Sequence, residues 1–346
     1  MSYTLLADVI EPSVFIPYQN ERIPYKLALS QESGVLVAPI EAIAKQLGGG
    51  GRTLDAPYWE DLARGEADIP DDTATEITPD KITSTVEKMT KHTLAKSWSA
   101  STVAGWVSTG VADDPMRNIA DKMGDWWHYN TEQRLIKTLT GVLADNGAND
   151  SGDMIASVYD DIASPTAANK IGVQAVNEAT LTAGDRMGDF RVICMHSHVY
   201  NTLRNDEQIS FRRPSETPHE VPYYQGMMVI FSDTMPVTAG SNSSKYTCFL
   251  LGEGALSHSV DIPSEPTQNG VMGLEMDRNS LVGNGGGKDT IITRRHEFMH
   301  PRGVSWLDAN RAKKMAATNA ELALATNWDR KYDRKNIRIA ALEVNA

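Results

Sequence analysis

Asp114-Pro115-Met116-Arg117-Asn118-Ile119-Ala120-Asp121-Lys122-Met123-Gly124-Asp125-Trp126-Trp127, continuing to Asp145 without another proline, is the stretch on which the architecture turns. Asp113 or Asp114 suits the N-cap, Pro115 the first helical position and Gly147 the exit. Met116, Ile119, Ala120, Met123, Trp127, Leu135, Leu139 and Val142 recur at steps of three and four residues, the period of an amphipathic helix. At 1.5 Å per residue this predicts a rod of roughly 45 Å, longer than an ordinary domain helix and suited to be the spine of something extended.

On the N-terminal side of the spine, Arg52–Trp59 and residues 81–98 carry strand-like runs. Between them lies the acidic stretch 60–80, with Asp68, Asp71, Asp72 and Glu76, too polar to form a core. Two strands around such an excursion predict a long projecting hairpin. Ahead of it, Pro12, Pro17, Pro24 and Pro39 and the glycines at 48–51 predict an extended arm, with a short helix at Ile40–Leu47. On the C-terminal side the texture alternates. Phe190–Met195, Met227–Ser232 and Tyr246–Leu251 read as buried strands, and Val173–Met187 and His198–Asn205 as helices, the latter capped by Ser197. These make a compact α/β domain that the glycines at 283–287 should end as a hinge. A β-branched strand, Thr290–Thr293, then opens a basic, turn-rich tail around Trp328–Arg338.

The composition narrows the functional classes. The 346 residues include 33 basic and 45 acidic side chains, a net charge of -12, and 41% apolar residues. An acidic chain of pI near 5.2 does not grip duplex DNA, because that affinity comes from lysine and arginine clusters. Cys194 and Cys248 allow at most one disulfide, which suits a reducing compartment. Neither a signal peptide nor a membrane span is expected. Charge is also unevenly spread: residues 1–80 hold 14 acidic and 5 basic side chains, residues 288–346 hold 7 and 12. Either these are two solvated surfaces, or the two ends meet within or between subunits.

The sharpest motif, His296-Glu297-Phe298-Met299-His300, matches the zinc-peptidase pattern, which needs its histidines one helical turn apart and its glutamate beside a metal-bound water. The flanks argue for a strand instead, since Thr290–Thr293 is β-branched and Pro301 follows His300. Cys194, His196 and His198 alternate as a metal trio would on a strand, against the plainer reading of a buried thiol and a polar strand end. Trp126 and Trp127 fit a stacking platform or, more plainly, packing toward two neighbours. No phosphate loop, nucleophile elbow or serine-histidine-carboxylate set is present, so no enzyme, cofactor or metal is expected.

Several landmarks, in order, resemble those of the major capsid proteins of tailed bacteriophages, which have the Hong Kong 97-type fold. They include Leu6-Ala7-Asp8-Val9-Ile10-Glu11-Pro12, Gly49-Gly50-Gly51-Arg52-Thr53 with Pro57-Tyr58-Trp59, and Ile77-Thr78-Pro79-Asp80-Lys81-Ile82. Lys96-Ser97-Trp98-Ser99-Ala100-Ser101, Met195-His196-Ser197, and Arg294-Arg295-His296 with His300-Pro301-Arg302-Gly303-Val304 continue the series. The resemblance implies an α+β fold with an N-terminal arm (1–45), a peripheral-domain strand and extended loop (46–112), and a spine helix with peripheral domain (113–165). It further implies an axial domain (166–288) and a returning peripheral strand with C-terminal segment (289–346). It implies a structural protein that self-assembles through hexamers and pentamers into an icosahedral head around double-stranded DNA. That head is a virion capsid assembled in the host cytoplasm. Subunit contacts are expected at Asp68, Asp71, Asp72, Lys81, Lys88, Trp126, Trp127, Arg294 and Arg295. Since the landmarks begin at Leu6, a separate scaffolding protein is expected, with a portal and a possible decoration protein. The alternatives are an encapsulin-type nanocompartment shell and a zinc metallopeptidase using His296, Glu297 and His300.

Overall fold

A computed structural model describes residues 34–39, 41, 43, 51–62, 65–70, 77–108, 115–212, 220–263 and 272–346. The arm at 1–33, most of the expected helix at Ile40–Leu47, the N-cap at Asp113 or Asp114, and Asp71 and Asp72 lie outside the described residues.

Hydrophobic alternation builds two sheets. In the first, the strand order is β1 (Leu36–Val37), β11 (Leu256–Asp261), β13 (Lys288–Pro301), β3 (Ser84–Ser101) and β2 (Thr53–Trp59), with β12 (Leu274–Asn279) pairing β13 beside β11. β2 and β3 are antiparallel, from Thr53 opposite Thr90 to Trp59 opposite Ser84, which forms the predicted hairpin. β3 is 18 residues long, about 60 Å at 3.3 Å per residue, so it runs from the hairpin into the body, where the short helix α1 (Thr102–Ser108) follows it.

The second sheet has the order β4 (Ile155–Ser157), β16 (Ile339–Val344), β10 (Ser244–Gly252), β5 (Phe190–Met195), β8 (Met227–Phe231), β7 (Val221–Tyr224) and β6 (Ser210–Arg212), with β9 (Val237–Ala239) on β10. Its central strands are apolar on both faces because both are covered. On one face Ile193, Cys248, Leu250, Ala340 and Leu342 pack under α3 (Val173–Leu181) and α4 (Ser197–Asn205), through Val176, Ala179, Val199 and Leu203. On the other, Val192, Cys194, Phe249, Leu251, Ile339 and Ala341 meet Leu135, Ile136, Leu139, Val142 and Leu143 of the spine helix α2 (Pro115–Asn149). Trp306 of β14 (Val304–Trp306) and Trp328 of β15 (Trp328–Arg330) extend the same core, edge to face at 4.9 Å.

α2 starts at Pro115 as expected and has 35 residues, but runs past Gly147. It ends where the Asn146 side chain takes the Met154 N–H at 3.0 Å and Ser151 and Gly152 turn left-handed. Only the half from Thr131 onward has buried residues, because the earlier turns extend beyond the second sheet. Ser197 is the first residue of α4 and not its cap: His196 Nδ1 takes the His198 N–H at 3.2 Å. The expected helix to Met187 stops at Leu181, and a 3-10 turn follows over Gly184–Asp189.

Sheet membership departs from the linear segments in three places. β4 and β16, expected with the peripheral elements, lie in the second sheet. β11 and β12, expected in the axial segment, pair with β13. The glycines at 283–287 are therefore not a hinge between domains. They turn β12 back into β13, with Gly283, Gly285 and Gly287 at positive φ, where glycine is unstrained.

Candidate assembly surfaces

The hairpin is fixed at its base and uncovered at its tip. At the base, Glu87 is buried and meets His300 Nε2 at 2.7 Å, and its carboxylate also accepts the Gly303 N–H at 2.8 Å. Burial pushes the Glu87 carboxyl up, but the His300 hydrogen bond and charge, the Gly303 N–H and the Tyr332 hydroxyl outweigh it and hold it below the ordinary carboxylate range. The Lys88 N–H donates to Ser305 Oγ at 3.1 Å, and Arg52 lies 3.7 Å from Asp308. Residues 1–80 and 288–346 thus meet within one subunit at the hairpin's root, through Arg52 and Asp308.

Toward the tip the pattern reverses. Trp59, Leu62, Ile69, Ile77 and Ile82 are all exposed, Ile69 at 83% and Ile77 at 70%. Asp68, Lys81 and Lys88 are exposed on the same hairpin. Five large apolar side chains are thus left in water within one short stretch of chain.

The other expected contact residues are engaged inside the chain. Trp127 Nε1 donates to Thr293 Oγ1 at 3.1 Å, and the Arg295 guanidinium lies 4.0 Å above the Trp127 ring. Trp126 is half-buried, edge-on to Trp98 at 5.5 Å, with Lys96 over its face at 5.2 Å. The plainer reading of the tryptophans, packing toward two neighbours, describes this geometry; a stacking platform does not, because both rings are flanked by this chain's own side chains. Arg294 binds Glu275 at 2.8 Å across the β12–β13 hairpin. Arg295, 8% exposed, turns inward to Thr131 at 2.7 Å and Glu297 at 3.2 Å, so it offers little to another subunit.

The zinc-peptidase pattern is dispersed by the strand. His296 and His300 lie four residues apart on β13, about 13 Å along an extended chain, too far to share one ion. Glu297 points to the opposite face, where Arg134 of α2 (3.7 Å), Arg295 and His258 (3.5 Å) surround it. Burial raises the Glu297 carboxyl, yet His258 and the two guanidiniums outweigh it and keep the group ionised. The Cys194, His196 and His198 trio separates in the same way. Cys194 is in the core with its thiol pushed far up by burial, while His196 and His198 stack at 5.3 Å beside Tyr246. Among the described residues no group of histidine, cysteine and carboxylate side chains is arranged to hold a metal, and no helix is long and apolar enough to cross a membrane.

Some important positions carried no signal in sequence. Gly141 sits mid-helix where the Trp328 indole donates to Leu322 O at 2.8 Å across its surface. Arg186, Arg302 and Arg338, far apart in sequence, converge on one cleft.

No family model matches the chain. Similarity to individual proteins is nonetheless extensive. The chain is 31% identical over 342 residues to the major capsid protein of Bacillus phage SPP1, covering 98% of this chain and 97% of that one. In structure it is similar to the capsid of Ralstonia phage GP4, with a TM-score of 0.57 at 12% identity, covering 100% of this chain and 94% of that chain. It is also similar to the capsid of Helicobacter pylori bacteriophage KHP30, with a TM-score of 0.53 at 10% identity over 100% and 98% of the two chains. The sequence likeness runs almost end to end and the shared fold is the Hong Kong 97 type, so the chain belongs to the family of the major capsid proteins of tailed bacteriophages.

Proposed function

We propose that copies of this chain close into hexamers and pentamers, and these into an icosahedral head, by laying the β2–β3 hairpin of each subunit over its neighbour. As a member of its family the chain is a structural, non-enzymatic component of the virion capsid. The observation that carries the assembly mode is the hairpin itself, fixed at Glu87 and His300 but bared at Trp59, Leu62, Ile69, Ile77 and Ile82. A heterologous contact of this kind, repeated with the right rotation, closes a ring. Asp68, Asp71, Asp72, Lys81 and Lys88 belong to that contact, and the arm at 1–45 contributes a second one. A separate scaffolding protein, a portal and a possible decoration protein are the heterologous partners. DNA is enclosed without specific binding, since an acidic chain presents no strongly basic field to hold it.

The encapsulin reading is set aside in favour of a phage head, given the near full-length identity to a phage major capsid protein. Negative-stain microscopy of the chain expressed alone and with its candidate scaffolding protein tests the proposal. Closed shells in the second preparation are expected; a stable monomer at high concentration in both would overturn it.

A further inference from the structure

A cleft of about 240 Å³ opens where the two sheets meet, lined by Arg186, Arg302, Arg338, Tyr332 and Asn336. Its residues come from four places: the 3-10 turn before β5, the β13–β14 turn, the segment after β15 and the residue preceding β16. Two of its guanidinium groups are held in place. Arg186 donates to Asn336 Oδ1 at 2.8 Å and Arg338 to Glu253 O at 2.7 Å. One carboxylate, Asp189, lies 3.5 Å from both. Arg302 is exposed, and its side chain forms no ion pair or hydrogen bond among the described residues. Two of the three guanidinium groups share one carboxylate and the third has none, so the cleft carries a net positive charge suited to carboxylates.

We propose that this cleft is the socket for the acidic hairpin loop of a second copy of the chain. Charge complementarity chooses the occupant: residues 60–80 contain eight carboxylates and one arginine, the densest negative charge in the sequence, on the loop that joins β2 to β3. The subunit's own loop leaves the body beside the cleft, where Tyr58 packs on Tyr332 at 4.8 Å. Its described residues, 60–62, 65–70 and 77–80, nevertheless remain exposed, Glu66, Asp68 and Asp80 among them, and this leaves the cleft to a neighbour. The inference rests on the proposed hairpin-over-neighbour assembly and adds the surface that receives the hairpin.

Arg302→Glu tests it, because that side chain forms no ion pair or hydrogen bond among the described residues of its own subunit. Full-length chains are co-expressed with the candidate scaffolding protein, and the shell assembly threshold is measured at low and at 0.5 M salt. The Arg302→Glu variant should raise the threshold about fivefold or more at low salt and much less at high salt, with subunit unfolding unchanged. Asp68→Lys with Asp80→Lys should raise it similarly, and combining all three should restore part of the loss. Normal assembly of Arg302→Glu, absence of restoration, or a loss of subunit stability showing the loop bound in cis would each overturn the inference. Shells that form normally but retain DNA differently would assign the cleft to phosphodiesters and overturn it as well. If the unaltered chain itself builds no shells, the assembly reading fails instead, so the two failures are distinguishable.

Discussion

Gly141 is the tightest point of the interior. A Cβ there would lie 2.0 Å from Leu322 O and 2.5 Å from Trp328 Nε1, inside the hydrogen bond that joins them. Alanine would normally favour a helix by about 1 kcal/mol, but the clash involves backbone and a buried indole that cannot retreat. Gly141→Ala should therefore destabilise the subunit by about 3 kcal/mol in denaturant unfolding. His92 sets a pH dependence. It is buried, its Nδ1 accepts the Ala317 N–H at 3.2 Å, and burial, with Arg134 and Arg311 nearby, holds its ring well below the ordinary 6.5. The native state then binds fewer protons than the unfolded chain, so stability is full above pH 6.5 and falls by roughly 1 kcal/mol per pH unit below it. His92→Asn, which keeps an acceptor near the Nδ1 position without the titration, should flatten that slope in unfolding measured from pH 7 to 5. Glu87 has a depressed carboxyl, so its contribution is present above the ordinary 4.5 and is lost as pH falls through the lower folded value. The His92 effect therefore begins as pH falls below 6.5, and that of Glu87 only below 4.5.

Two elements divide the labour of the fold. Among the described residues the β2–β3 hairpin makes its interior contacts along its strands, where Leu54, Met89 and Phe298 form a small core and Tyr58 packs on Tyr332. Replacing residues 61–82 by a short turn should leave subunit unfolding within about 0.5 kcal/mol, as expected for exposed residues, while abolishing shells in sedimentation. β16 is the opposite case. Ile339, Ala340, Ala341, Leu342 and Val344 are all buried, and the strand lies between β4 and β10. A chain ending at Ile337 should fail to fold, as read by loss of the cooperative transition, because two sheet edges and both packed faces are opened. The hairpin was legible because two strand-like runs enclosed a stretch too acidic for a core. β16 was not, because a strand covered on both faces lacks the polar alternation that signals one, and its partners lie far away in sequence.

At the scale of the whole molecule, charge separation is the lever. Asp68 is exposed, and reversing Asp68, Asp71 and Asp72 to lysine should impair assembly far more than subunit folding; normal shells by electron microscopy would reduce the acidic loop to a solvated surface. The sequence by itself determined the order of elements, the spine helix from Pro115, the projecting hairpin, the strand character of His296–His300 and the family landmarks. Each of these rests on periodicity, turn residues or local charge, which act between near neighbours along the chain. Only the tertiary structure decided that β4 and β16 join the second sheet, that β11 and β12 join the first, and that Arg295 and Trp127 turn inward. It alone brought Arg186, Arg302 and Arg338 to one cleft. The reason is physical: strand partners and buried charges are selected by which faces meet when the core closes, and residues more than a hundred positions apart carry no local pattern that announces the meeting.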